Sequence, residues 1–437
     1  MSTIILGGGL TGLTLARLLH EQGEEVLVLE KEREYGGLCR SRSVEGFTFD
    51  IGGSHIIFSR DSEVLAFMHR VLGENRTERH RETKILYKGR FVPYPFENGL
   101  YELPKEDLFF CLNEYIKTLI GVETGAVPLP ENFREWMYYT FGKGIAECYL
   151  VPYNEKIWNY PTVQMSHHWV EGRIPRPPVE DVIKAAVGIP TEGYTHQVVF
   201  SYPQSGGIEA LVHAIAQPVA GMVRTDFSVQ SVERISGRWH VSDGREEVVA
   251  DTCIVTIPLQ DLVPLLAGVP PVVRDAVRAL RYNSLITVSL GVKGSVPPYS
   301  WLYLPDIGGG LANRISFPSN YSTGVAPEGY GSVLAEVTWN EGDRVSQMTD
   351  SAVIADVVGS LARAGLIDPA SVVHQSLFRQ KYAYVVYDLM YLTNITTIRD
   401  YFRQIGLPLV GRFAQFEYLN MDGCIRMAMD FVAGRAR

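Results

Sequence analysis

Residues 4–12 read Ile-Ile-Leu-Gly-Gly-Gly-Leu-Thr-Gly, and an acid, Glu30, ends a second apolar run that begins at Glu25. The pattern specifies a strand, a glycine turn, a helix over Leu13–Gln22 and a second strand, the opening of a dinucleotide-binding βαβ unit. Each glycine has its own reason. Gly7 permits the tight turn, Gly9 lets a pyrophosphate approach the backbone, and Gly12 lets the helix pack close to the strand. The helix N-terminus then faces the anion, and Glu30 is placed to accept hydrogen bonds from a ribose. A lone GxGxxG matches many chains by chance; on a strand, turn and helix, with an acid at this distance, it is specific.

Two more glycine pairs follow, Gly36-Gly37 and, after Phe49-Asp50-Ile51, Gly52-Gly53 with Ser54 and His55. Taken singly, Gly36-Gly37 reads equally well as an ordinary loop. The full series suits a large cofactor lying along the sheet edge, which an NAD domain does not need. Its order resembles the FAD-binding fold of the amine oxidase, protoporphyrinogen oxidase and UDP-galactopyranose mutase group. The expected fold class is therefore α/β: a Rossmann-like (GR2-type) FAD-binding domain built from discontinuous segments, with a helical insertion and an antiparallel-sheet domain.

With 437 residues the chain can hold about three domains and a large core. Hydrophobic residues make up 46 % and charged ones 20 %, the balance of a soluble globular protein. A formal charge of −9 offers no basic face for counterion release and argues against nucleic acid as a partner. Cys39, Cys111, Cys148, Cys253 and Cys424 are odd in number and form no CxxC, so neither a disulfide framework nor a metal site is expected. They read as small apolar residues in a reducing compartment. The chain enters its first strand without a leader pattern, and no run approaches the roughly 18 apolar residues of a membrane span. A cytoplasmic enzyme is expected.

Apolar spacing of three and four predicts helices over Glu106–Leu119, Glu131–Phe141 and Gly144–Val151. After Tyr202-Pro-Gln-Ser-Gly-Gly207 another helix begins. Strands are expected over Phe227–Ile235, Trp239–Ser242 and Val248–Pro258, with alternating strands dominating Asn283–Trp339. A helix near Asp350–Ala364, a short strand over Leu407–Arg412 and a helix over Asp422–Gly434 close the chain. The expected domains are 1–90 with 200–262 and 405–437 for FAD, 91–199 helical, and 263–404 as an antiparallel-sheet substrate domain.

The resemblance sharpens to UDP-galactopyranose mutase. It is carried by Phe141-Gly-Lys-Gly-Ile-Ala-Glu-Cys-Tyr-Leu-Val-Pro-Tyr153-Asn154-Glu-Lys-Ile-Trp158 and by Trp169-Val-Glu-Gly-Arg173. Trp301-Leu-Tyr303, Arg314-Ile-Ser-Phe-Pro-Ser-Asn320-Tyr321 and Gly411-Arg412-Phe413 with Tyr418, Asn420 and Asp422 continue it in one order. It implies FAD held by Gly7, Gly9, Leu10, Thr11, Gly12, Glu30, Lys31, Gly37, Leu38, Gly53, Ser54, His55, Val229, Gly411, Arg412, Asn420, Met421 and Asp422. It implies a nucleotide-sugar pocket with Asn154, Trp158, Tyr303, Tyr384, Tyr418 and Asn420. It places Arg173 and Arg314 on the substrate diphosphate, and Arg412 and His55 beside the flavin.

Those residue types suit the chemistry. A diphosphate leaving group needs fixed positive charge, and the planar fork of arginine binds its oxygens in pairs without deprotonating. By type alone, each arginine reads as an ordinary ion pair and Trp158 equally as core. The implied reaction is redox-neutral: reduced FAD attacks the sugar through N5, and pyranose and furanose forms interconvert through that covalent adduct. NAD(P)H or a reductase would keep the flavin reduced. The alternatives are an oxidase or desaturase of the amine oxidase or protoporphyrinogen oxidase type, and a flavoprotein acting as a binding module. The sequence departs from the family at Tyr384-Val385, where Tyr-Pro is usual, by two residues missing between Tyr418 and Asn420, and at Gly423, where a histidine is usual. No uracil-binding segment can be matched within 90–140.

Overall fold

The computed structural model describes residues 2–170, 174, 176–191, 198–306 and 308–435. Ser2–Leu6 and Glu25–Leu29 pair in parallel around the Leu10–Glu21 helix. Thr252–Val255 and Val223–Arg224 complete a four-stranded parallel sheet. Residues 4–6, 26–29 and 253–255 are apolar on both faces, as a sheet covered by helices requires. The Leu10–Glu21 helix covers one face together with the C-terminal helix, Met421–Arg435.

Sequence periodicity missed some boundaries here. The run expected as one strand over Val248–Pro258 is two: Glu247–Ala250 ends an antiparallel meander with Ser231–Ile235 and Arg238–Ser242, and Thr252–Val255 enters the parallel sheet. The break falls at Asp251, whose carboxylate accepts the Ser2 N–H at 3.0 Å. The strand expected over Leu407–Arg412 reduces to a single bridge between Val255 and Leu409.

A second body is a seven-stranded sheet. Its order is Val372–Val386, Arg281–Lys293, Tyr330–Trp339, Arg314–Ser316, Trp301–Tyr303, Thr83–Tyr87 and Arg90–Pro93. Residues 83–93 form its far edge, separated from the first glycine-rich segment by the Ser62–Leu72 helix and the Thr77–His80 strand. Three helices stand beside this sheet: Lys105–Glu123, Phe133–Ile145 and Val151–Trp158. Ala146–Leu150, expected as ordinary helix, is a π-helical segment joining the last two. Among the described residues no helix is long and apolar enough to cross a membrane.

The first turn is shaped by what a side chain would strike. A β-carbon on Gly12 would lie 2.0 Å from the Gly7 carbonyl oxygen, so only glycine lets this helix approach its strand. Around Gly9, nothing lies within 4 Å of a built β-carbon, and its φ of −78° is open to any residue. Gly12→Ala should therefore cost about 1–3 kcal/mol of stability through overpacking, whereas Gly9→Ala should leave it unchanged. Urea unfolding of the two variants checks this; equal midpoints would contradict the stated geometry.

Candidate active site

The glycine series meets at one place. Gly9 caps the Leu10–Glu21 helix without a side-chain hydrogen bond, leaving the first-turn N–H groups to an external acceptor. Gly36 N–H donates to the Gly8 carbonyl at 2.7 Å, and a β-carbon on Gly37 would stand 3.3 Å from the Gly9 Cα. Gly411, at φ 101°, presses on Thr11, whose Oγ1 would lie 2.7 Å from an added β-carbon. Leu10 and Thr11 are buried beneath this cradle.

Glu30 is buried at the end of its strand and accepts Gly8 N–H at 2.7 Å and Glu32 N–H at 2.9 Å. A carboxylate has about four acceptor positions, so these bonds orient it with capacity left for a hydroxyl. Lys31 points outward, 3.6 Å from Asp261, and half-buried Val229 lies two residues past Phe227, whose N–H donates to the Glu30 carbonyl at 2.9 Å. Leu38 packs at the edge of the same core. Asp422 opens the C-terminal helix and accepts Ser59 Oγ at 2.8 Å, with Asn420 exposed before it and Met421 buried. The cradle is open where the backbone must be approached and tight elsewhere, which fits a dinucleotide.

Beyond the Gly53 turn lies the second half of the site. Strand register sets Tyr303 opposite Arg314, and Arg314 opposite Glu336, so the three stand in a row across the seven-stranded sheet. Arg314 donates to Glu336 Oε1 from Nε at 2.9 Å and from Nη2 at 2.6 Å. The same oxygen accepts Ser54 N–H at 3.0 Å, and Tyr384 donates its hydroxyl to Oε2 at 3.3 Å. Arg314 also reaches the Ser54 carbonyl at 3.4 Å. Glu336 thus ties the loop after Gly53, the arginine and Tyr384 to one fully buried carboxylate. It was not among the expected site residues. The available signal was an acid inside the strand-like run Val333-Leu-Ala-Glu-Val-Thr-Trp.

His55 is held beside this pair. Its Nδ1 lies 2.9 Å from the Gly53 carbonyl, which accepts the proton there and leaves Nε2 as the acceptor of a neutral ring. Burial pushes its pKa down to about 4, with Arg314 and Arg412 acting the same way against Gly53 and Glu336. Arg412 lies over the Tyr418 ring at 4.7 Å and donates to the carbonyls of Ala383, at 2.7 Å, and Leu419. These carbonyls hold it, rather than the salt bridge that residue type suggests.

Tyr384 and Tyr418 pack edge-on to Trp158 at 5.8 and 5.4 Å, closing an aromatic wall. Trp158 is 4 % exposed and donates its indole N–H to Asn154 Oδ1 at 3.0 Å, while Asn154 donates to the Leu150 carbonyl at 2.7 Å. Both side chains therefore brace the Val151–Trp158 helix. Tyr153, from the same helix, stacks edge-on with Tyr303 at 5.1 Å. Arg173 lies outside the described residues.

The family model described as flavin containing amine oxidoreductase matches residues 10–426, and the chain belongs to that family. A crystal structure of a reduced UDP-galactopyranose mutase superposes at TM-score 0.90 with 27 % identity, covering 100 % of this chain and 95 % of that one. A putative protoporphyrinogen oxidase from Exiguobacterium sp. 255-15 shares the fold at TM-score 0.76 and 17 % identity, over 99 % of this chain and 98 % of that one. The dTDP-fucopyranose mutase of Escherichia coli is 24 % identical over 213 residues, 44 % of this chain and 51 % of its own length. The UDP-galactopyranose mutase of Mycoplasma genitalium is 23 % identical over 224 residues, 49 % of this chain and 52 % of its own. In sequence, this chain thus spans about half the length of those two mutases. The likeness is thus to mutases and oxidases within a flavin-containing family, and a cradle built for a dinucleotide fits that flavin as FAD.

Two outcomes follow from the geometry. Glu336→Ala strands a partly buried guanidinium and should cost about 3–5 kcal/mol of stability, with Glu336→Gln costing less because the amide oxygen still accepts; urea unfolding of both checks the order. His55, low in the folded state and ordinary when unfolded, makes stability fall as pH drops from about 6.5 toward 4. Its ring should stay neutral at pH 5.5 by NMR. A midpoint near 6.5 would contradict the enclosure described.

Proposed function

We propose that this enzyme is a flavin-dependent nucleotide-sugar mutase interconverting pyranose and furanose forms, of the UDP-galactopyranose/UDP-galactofuranose type. The observation that carries the reading is the row of Tyr303, Arg314 and Glu336, tied through Ser54 to the glycine loop beside the FAD cradle. An enzyme that only removes hydride from an apolar molecule has no use for a guanidinium there. The full-length likeness to a reduced UDP-galactopyranose mutase supports the same reading.

Gly7, Gly9 and Gly12 with Leu10, Thr11, Gly37 and Gly411 would hold the FAD pyrophosphate side, Glu30 the ribose, and Ser54, His55, Arg412 and Asp422 the flavin side. When bound and reduced, FAD would supply the nucleophile for the anomeric carbon. The protein's part is orientation, charge and exclusion of water. Arg314, aimed by Glu336 through Nε and Nη2, presents its remaining donors to the diphosphate, and Arg173 is assigned the second clamp. Tyr384, Tyr418 and Trp158 wall the sugar. His55, neutral, offers a lone pair and no competing positive charge. The division into an FAD domain (1–90, 200–262, 405–437), a helical domain (91–199) and a sheet domain (263–404) belongs to this proposal, as do a cytoplasmic location and an NAD(P)H or reductase electron donor.

Protein reduced with dithionite, incubated with UDP-galactopyranose and separately with dTDP-fucopyranose, should yield the matching furanose from one of them. No furanose from either, with rapid flavin reduction by an amine, would replace this reading with an oxidase. Arg314→Ala should lower kcat/KM by about 100-fold or more, the scale of one lost charge-assisted contact to a developing anion. Turnover within threefold of wild type would remove Arg314 from the clamp.

A further inference from the structure

The Lys105–Glu123 and Phe133–Ile145 helices cross so closely that no side chain fits between them at Gly144. A β-carbon there would lie 2.5 Å from both the Cys111 Cα and the Phe110 carbonyl oxygen. Past Gly144 the chain leaves α-helical geometry. Ala146–Leu150 is π-helical with Cys148 at its centre, and Val151–Trp158 then resumes the α-helix. Cys148, about one turn beyond Gly144, packs against the cluster that holds Cys111 and Tyr87. Tyr87 also donates to Asp107 at 3.0 Å, and Lys88 Nζ reaches the same oxygen at 2.7 Å.

The five cysteines are not alike. Cys39, Cys253 and Cys424 are buried, and burial pushes their thiols up. Cys148 is half-buried and held down to about 7, first by the neighbouring Cys111 thiol and further by the Lys88 ammonium, against burial and Asp107. Cys111, fully buried, is raised by the neighbouring Cys148 and by its burial. A half-buried cysteine held toward its thiolate, packed with a fully buried thiol, is the arrangement of an attacking and a resolving cysteine.

We propose that Cys148 is an oxidant-reactive thiol and that Cys111 resolves it, forming a disulfide between the two helices. The Cys148 thiolate attacks the terminal oxygen of a hydroperoxide. The O–O bond breaks, and the departing alkoxide or hydroxide takes a proton from water, leaving a sulfenic acid on Cys148. The Cys111 sulfur then attacks the Cys148 sulfur. The S–S bond forms as the S–O bond breaks, and the hydroxyl leaves as water with the Cys111 proton. Two electrons pass from the two thiols to the peroxide.

The bond has a structural cost. The sulfurs must close to about 2.05 Å. Gly144 already brings the helix backbones together, so the π-helical segment is the part able to shift. That segment leads directly into the helix bearing Tyr153, Asn154 and Trp158. Oxidation therefore disturbs the substrate wall, a consequence that rests on the mutase reading, and spares the FAD cradle, none of whose assigned residues lies in 141–158.

The test uses the FAD-loaded full chain exposed to hydrogen peroxide, alkylated, and mapped by peptide mass spectrometry. The expected result is a Cys111–Cys148 disulfide reversed by dithiothreitol, absent in Cys148→Ser and replaced in Cys111→Ser by a sulfenic acid that dimedone captures. KM for UDP-galactopyranose should rise severalfold in the oxidised wild type and stay put in peroxide-treated Cys148→Ser, with FAD retained in both. Both thiols remaining free to alkylate, or Cys148 oxidising without a link to Cys111, would overturn the pairing. A disulfide that leaves KM unchanged would overturn its coupling to the pocket. The peptide map decides the thiol chemistry even if no mutase activity is found.

Discussion

The second half of the site depends on the pair between Arg314 and Glu336. A buried carboxylate with a guanidinium opposite it in strand register is stable only if nearly all its acceptor positions are used, and here Ser54 and Tyr384 use the others. The consequence reaches three elements at once. The loop after Gly53 is fixed on the sheet, Tyr384 is oriented toward the arginine, and the guanidinium is held by two of its nitrogens. What stabilises the fold is thus also what preorganises the site, and binding an anion there requires no rearrangement of the arginine stem.

The first half depends on absence of bulk. Gly12 is needed because a carbonyl stands 2.0 Å from where its side chain would be, whereas Gly9 faces open space, where the proposed pyrophosphate would approach. The same residue type serves packing at one position and function at the other. The glycine loop and the ion pair meet at Ser54, so the proposed cofactor and substrate sites would share a wall that neither motif describes alone.

Much of this was legible in the sequence. The glycine spacing, the acid at Glu30 and the order of later glycines define the cradle through local rules that act over a few residues. The helices at Lys105–Glu123, Phe133–Ile145 and Asp350–Arg363 follow their apolar spacing to within a few residues. Glu336 was not seen, because its role comes from a neighbour 22 positions away whose register is fixed only when the strands are laid side by side. Val248–Pro258 read as one strand because apolar periodicity does not show that Asp251 is anchored to Ser2 and turns the chain between sheets. The π-helical stretch at Ala146–Leu150 was hidden for a similar reason: its sequence is ordinary for a helix, and the close crossing at Gly144 lies beside it. Asn154 and Trp158, expected to face a substrate, are first of all bonded to each other.

The central claim is that Arg314 receives the leaving diphosphate beside the flavin loop. The most direct measurement is a crystal structure of the reduced, FAD-loaded protein with UDP-galactopyranose. The account predicts phosphate oxygens within about 3 Å of the Arg314 guanidinium, the sugar against Tyr384 and the Ser54–His55 loop, and Glu336 still paired behind. A diphosphate bound elsewhere, with Arg314 engaged by Glu336 alone, would contradict it.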